Sequence, residues 1–161
     1  MSGEPFVTFS QTYITWLEVY IMAPNTSVAF IILAGKMLEL EDELFQNKKS
    51  FLKRFLTGMG LFKINITELK LKNEHLLNKY YEVYKNSPEK ELEDLGNFPN
   101  LLEESLRSLY KVIDGLDRRA KDITALNIDQ YQELLKQYNM KKVDLIPILE
   151  REKVKFQMSY K

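Results

Sequence analysis

The chain has no cysteine and a single histidine, His75, among its 161 residues. Without thiols there is no disulfide, no thiolate-bound zinc and no thiol nucleophile, a composition that suits a cytoplasmic or otherwise intracellular location. A carboxylate-bridged di-metal bundle needs Glu-x-x-His on two helices; here Lys72 stands three residues before His75 and no second histidine follows. Glycine is scarce as well. The six glycines form no phosphate-cradling loop and no Gly-x-Ser-x-Gly nucleophile elbow. His75 therefore reads as a surface or boundary residue of a helix. No catalytic residue, cofactor or metal is expected, and the chain is not read as an enzyme.

Net charge is missing too. The 23 basic and 23 acidic residues cancel, which argues against a dedicated nucleic-acid binder, whose affinity rests on phosphate neutralisation. Neutrality also removes the self-repulsion that keeps copies of a protein apart. Long apolar runs are lacking: the longest, Val28 to Ala34, is followed closely by Lys36, whereas a membrane span needs about 20 apolar residues. No transmembrane segment is expected. The opening MSGEPFVTFSQTY has no basic region ahead of an apolar one, so no secretory leader is expected either.

What the chain does have is apolar residues at helical spacing. Pairs recur seven apart at Phe30-Ile31, Met37-Leu38, Leu44-Phe45 and Phe51-Leu52. Seven residues are nearly two helical turns, so the pairs share one face of a long helix over about 26–59. A second seam, Leu102, Leu106, Leu109, Ile113, Leu116, Ala120 and Ile123, alternates steps of four and three through a helix over about 101–125. Gly115 lies off that seam and costs about 1 kcal/mol of helix propensity against Ala.

Around these two stretches the capping signals are regular. Ser10 can cap a first helix to about Met22, carrying Ile14, Trp16, Leu17, Val19 and Ile21, and Pro24 ends it. Asn65 with Glu68 opens a helix to about Lys85, with Ile66, Leu69, Leu76, Leu77, Tyr80, Val83 and Tyr84 inward. Ser87-Pro88 stops it and starts a short acidic helix closed by Gly96, and Asn97 to Asn100 reads as a turn. Asn127 with Gln130 opens a helix to about Tyr138 that buries Ile128, Tyr131, Leu134 and Leu135, with Tyr138 a further candidate. Asp144 can cap a last helix with Pro147 in its first turn and Leu145, Ile148 or Leu149, and Val154 inward; Phe156 to Lys161 are expected to fray. No segment alternates with period two. The expectation is an all-α bundle of about five or six helices, a single helical domain over 1–161 that could subdivide near 86–100.

Two basic clusters could meet phosphates: Lys48, Lys49, Lys53 and Arg54, and Arg118, Arg119 and Lys121. Acidic neighbours balance both, and solvated helix faces are the simpler reading, so nucleic acid is a possible partner but not the favoured one. Asn25-Thr26-Ser27 and Asn65-Ile66-Thr67 match the glycosylation pattern, but with no secretory leader expected they are better read as helix caps.

From Trp16 to Leu77 a further pattern is visible: Trp16-Leu17-Glu18, a break at Asn25-Thr26-Ser27, Ala34-Gly35-Lys36-Met37-Leu38-Glu39, then Phe55-Leu56-Thr57-Gly58-Met59-Gly60-Leu61 and Ile66-Thr67-Glu68-Leu69. This resembles the accessory subunit of class III poly(hydroxyalkanoate) synthases and the phasin-like proteins. Phe62-Lys63-Ile64-Asn65 stands where that family carries a Pro-Thr-Arg turn, and residues from Ser87 onward lie outside the resemblance. It implies a non-catalytic protein that joins a polymerase or coats polymer granules through amphipathic helices. The residues taken alone point the same way, to a structural or scaffolding protein that binds a protein partner or its own copies through apolar helix faces. A helical coat or shell subunit and a nucleic-acid-associated helical subunit are the alternatives.

Overall fold

The computed structural model of the chain describes residues 25–45 and 65–159. Among them are five α-helices and no strand: α1 (Thr26–Leu44), α2 (Ile66–Asn86), the short α3 (Glu89–Asp94), α4 (Phe98–Lys121) and α5 (Ile128–Ser159), with a 3-10 turn at Ile123–Ala125 between the last two. The fold is the all-α bundle that the apolar spacing predicts. The expected helix over 10–22 lies outside the described residues. So does the 46–59 part of the long helix, with Phe51 and Leu52. Within the described residues α1 ends at Leu44, capped by Phe45, whose backbone N–H donates to the Glu41 carbonyl at 2.9 Å.

An asparagine side chain caps three of these helices. The Asn25 side chain accepts from the Val28 N–H (3.3 Å) and Asn65 from the Glu68 N–H (3.0 Å). Asn127 and Gln130 exchange side-chain-to-backbone hydrogen bonds at 2.8 and 2.9 Å, a reciprocal box that satisfies two otherwise orphaned donors. Gly96, at φ +57°, adopts the left-handed conformation that closes α3 and admits a tight connection to α4.

The polar ties between helices fix an up-down order. As α2 advances through Thr67, Lys70, Glu74 and Tyr81, its partners on α4 retreat through Asp117, Asp114, Tyr110 and Glu103. α1 runs against α2 in the same way, with Thr26 beside Ser87 and Glu43 beside Lys72. Lys141 of α5 pairs with Glu104 of α4, while Leu134 packs near Gly115, so those two are antiparallel as well. Glu41 of α1 meets Tyr138 and Lys142 of α5 and closes the ring of four.

The centre is apolar. Leu102, Leu106, Leu109, Val112, Ile113 and Leu116 of α4 are all fully buried, facing Phe30, Leu33, Met37 and Leu44 of α1, Leu76 and Tyr80 of α2, and Tyr138, Leu145 and Leu149 of α5. Each such side chain contributes roughly 1.5–3 kcal/mol on burial. Phe30, Tyr80 and Phe98 form an aromatic cluster with ring centroids 5.5 and 6.3 Å apart, and the Tyr80 hydroxyl donates to the Pro99 carbonyl at 2.8 Å. Burial pushes the Tyr80 phenol above its ordinary range, with Glu103 adding to the shift, so it stays a donor.

Gly115 sits under Leu126 and Leu134, whose methyls would lie 3.3 Å from an added Cβ. Ala there gains about 1 kcal/mol of propensity against a contact that two leucine ends can relax, so near-neutrality is expected; Val should cost about 1–3 kcal/mol by overpacking. Equal urea midpoints for Gly115→Val and the parent would contradict this close approach. Asn73, fully buried on α2, finds no partner among the described residues for either end of its side-chain amide. Asn73→Leu, similar in size and free of that unmet polar group, should raise stability by about 1–2 kcal/mol in the same assay. A lower midpoint would show that the amide is satisfied.

Several expectations are corrected. Asn97 to Asn100 is not a free turn: α4 begins at Phe98, because Pro99 in the first turn lacks only an N–H that needs no partner, and Phe98 is fully buried there. The helix from Ile128 does not stop near Tyr138 and restart at Asp144; it continues through Pro147 to Ser159, so Phe156 to Ser159 are helical. Proline inside a helix costs about 3 kcal/mol, but Pro147 faces solvent while Leu145 and Leu149 on either side bury completely. In this continuous helix Val154 points outward at 52% exposure, and Glu152 takes the inner position, paired with Lys155 at 3.0 Å.

The α4 seam also ends early. Ala120 is exposed, and Ile123 lies beyond the helix at 59% exposure. The Asp122 carboxylate accepts from the Thr124 N–H and hydroxyl, and Arg119 donates to the carbonyls of Ile123 and Leu126. These local bonds stop the helix, and Leu126 is buried where the heptad would have placed Ile123. Tyr84, finally, is exposed at 43%; it stacks on the outer side of Tyr80, 6.0 Å between centroids, instead of entering the core.

Candidate interaction surface

The positions singled out by spacing divide into inner and outer ones. Leu102, Leu106, Leu109, Ile113 and Leu116 are consumed by packing within the chain. Phe30, Met37 and Leu44 are buried likewise, with Ile31, Leu38 and Phe45 half-buried against the same core. None of these is left for another molecule. Lys48, Lys49, Lys53 and Arg54 lie outside the described residues. The other basic cluster is spent internally: Arg118 pairs with Asp114 (3.1 Å), Lys121 with Asp117 (3.3 Å), and Arg119 caps the turn after α4.

Among the described residues the face that remains is on α5, and spacing alone missed it. The helix runs 32 residues with an inner stripe of Tyr131, Tyr138, Leu145, Leu149 and Glu152. On its opposite side Met140 (53%), Val143 (67%) and Val154 (52%) are exposed, with Pro147 between them. At about 100° per residue these four fall within a strip about 60° wide. The only other large apolar side chains so exposed among the described residues are Leu71, Tyr81, Tyr84 and Ile123, on α2 and the turn after α4. Single exposed apolar side chains are ordinary, and a row of them on one helix is not. An open depression of about 690 Å³ lies at the start of the row, with Leu135, Lys136, Asn139, Met140, Val143 and Asp144 along it. The missed signal was the continuity of α5: a helix broken at Asp144 puts Val154 on a different face from Met140.

Elsewhere the surface is knitted by polar contacts. The Tyr81 hydroxyl donates to Glu103 at 2.6 Å, and Arg107 bonds both of them. Burial first, and the Glu74 carboxylate second, push the Tyr110 phenol up. Asp117, only 3% exposed, accepts from the Thr67 hydroxyl at 3.0 Å and faces Lys121 and Lys70. Burial alone would raise its carboxyl, but these three partners outweigh that and hold it below its usual value. A depressed carboxyl contributes stability above its unfolded value, about 3.9, that is lost as pH falls through the folded one. Asp117→Asn should therefore be less stable at pH 7 and show a shallower loss below about pH 4, by urea melts across pH. Identical acid slopes would remove Asp117 from this role.

His75 is half-buried on α2. Among the described residues no group of three His, Asp or Glu side chains is arranged to hold a metal ion, and no helix is long and apolar enough to cross a membrane. No family model, no curated protein and no solved structure matches the chain.

Proposed function

We propose that the protein works by association, as a structural or scaffolding subunit, and not as a catalyst. The observation that carries this reading is the exposed row of Met140, Val143, Pro147 and Val154 on α5, while the other long apolar faces among the described residues are used up internally. Apolar surface in a row on a rigid helix gains free energy by leaving water, roughly 25 cal/mol per Å² covered, and asks for no reacting group. The absence of net charge leaves no long-range repulsion between copies or toward a neutral partner. Joining a polymerase or a polymer granule, which the resemblance of residues 16–77 implies, is one form of this reading. A subunit of a helical shell is another.

The test is the double variant Met140→Glu, Val143→Glu. Both positions are exposed, so its melting temperature should stay near that of the parent. Its association should be lost, read as a fall in solution mass by light scattering or as failure to bind polymer granules. The reading is overturned if the parent and the double variant behave alike in concentration series, granule binding and co-purification.

A further inference from the structure

We propose that the outer face of α5 docks against the same face of a second copy, the two helices antiparallel about a two-fold axis beside Val143. This deepens the association reading and rests on it. The argument is the order of charges along that face. In an antiparallel pair centred on Val143, a residue n places before it faces the residue n places after it on the other copy. Lys136 then meets the partner's Glu150, and by symmetry Glu150 meets the partner's Lys136. At about 100° per residue Glu133 and Arg151 share one flank of the helix, so Glu133 lies near the partner's Arg151, again twice. Met140 lies one place off the partner's Pro147, and Val143 meets its own copy.

Every one of these side chains is exposed in the single chain. Lys136 makes no ion pair among the described residues, and Glu150 has only Lys153, at 3.5 Å, on its own helix. A parallel pairing would instead set Lys136 on the partner's Lys136 and Glu150 on the partner's Glu150, which is repulsive. Two-fold interfaces are self-complementary patches of this kind. The contact from residue 132 to 154 is only about 33 Å long at 1.5 Å per residue. A single helix pair of that length covers less than the roughly 800 Å² per partner of a standard interface. The dimer is accordingly a weak one, filled by raising concentration.

The absence of cysteine supplies the experiment. Val143→Cys has a single thiol per chain, and on the two-fold axis it should oxidise rapidly to a disulfide-linked dimer. Leu71→Cys, equally exposed but on α2, reports random collision. In light scattering, the mass of the unmodified chain should rise above 19.0 kDa with concentration. Lys136→Glu and Glu150→Lys should each weaken association at least tenfold, and the two together should restore it, which only the antiparallel register explains. An unmodified chain at 19.0 kDa at every concentration overturns self-docking and leaves the association reading to a different partner. An oligomer in which Val143→Cys links no faster than Leu71→Cys, or in which the charge swap does not restore mass, overturns this face while association itself stands.

Discussion

Leu109→Asp and Ile113→Asp should each abolish cooperative folding at 25 °C. Both side chains are fully buried in α4, the helix that touches every other long element of the bundle. Truncation to Ala at such a site costs about 2–5 kcal/mol from lost transfer and the cavity left behind. Asp adds a carboxylate with no partner in an apolar centre, a further several kcal/mol even after protonation relieves part of it. A domain of this size has a total stability of about 5–15 kcal/mol, so the sum meets or exceeds what is there. Ile123→Asp, made at a residue that the same heptad count includes but that is 59% exposed, should stay within about 0.5 kcal/mol of the parent. Circular dichroism with urea titration reads all three. A cooperative melt near the parent's for Leu109→Asp would mean that the seam is not the centre of the bundle.

The contrast between Leu109 and Ile123 shows how much of the fold is legible in the sequence. Helix type follows from apolar spacing over many residues, and the Asn-capped starts at residues 25, 65 and 127 follow from one local hydrogen bond each. Those are short-range facts, and the sequence carries them. Where a helix stops is a competition. Heptad spacing would run α4 on through Ile123, but the Asp122 and Arg119 side chains outbid it with four local bonds. Pro147 has the opposite history: a strong local breaker is overridden by the burial of Leu145 and Leu149 in tertiary packing. That second outcome mattered most for the candidate surface, since only an unbroken α5 lines up Met140, Val143 and Val154. Lys72 and Asn73, buried at 5% and 0% on α2, were hidden for the same reason, because polarity alone places them outside. Lys72 reaches Glu43 of α1 at 3.2 Å with its ammonium.

Glu41→Ala is expected to be the most damaging single change among the polar residues. The Glu41 carboxylate accepts from the Tyr138 hydroxyl at 2.6 Å and from the Lys142 ammonium at 2.8 and 3.0 Å, with the ammonium lying 5.6 Å from the centre of the Tyr138 ring. Tyr138 is fully buried, and the Glu41 and Lys142 side chains keep only 13% and 24% of their surface. Burial first, and then Glu41, drive the Tyr138 phenol far above its ordinary range, so it acts only as a donor here. Removing the acceptor strands a hydroxyl in the core and leaves a half-sheltered cation beside it. A fully buried pair broken in this way costs about 3–5 kcal/mol; Lys142 can still turn toward water, so about 2–3 kcal/mol is expected. Glu41→Gln keeps an acceptor for Tyr138 and should lose about half as much. The triple change Glu41→Leu, Tyr138→Phe, Lys142→Met should recover most of the loss, because groups with no polarity to satisfy incur no desolvation cost. Since this cluster is the polar tie that closes α1 onto α5, hydrogen exchange should accelerate first along α1 in Glu41→Ala, before α4 is affected. Unfolding free energies within 0.5 kcal/mol of the parent, or exchange that rises evenly over all helices, would show that apolar packing alone holds α1 in place.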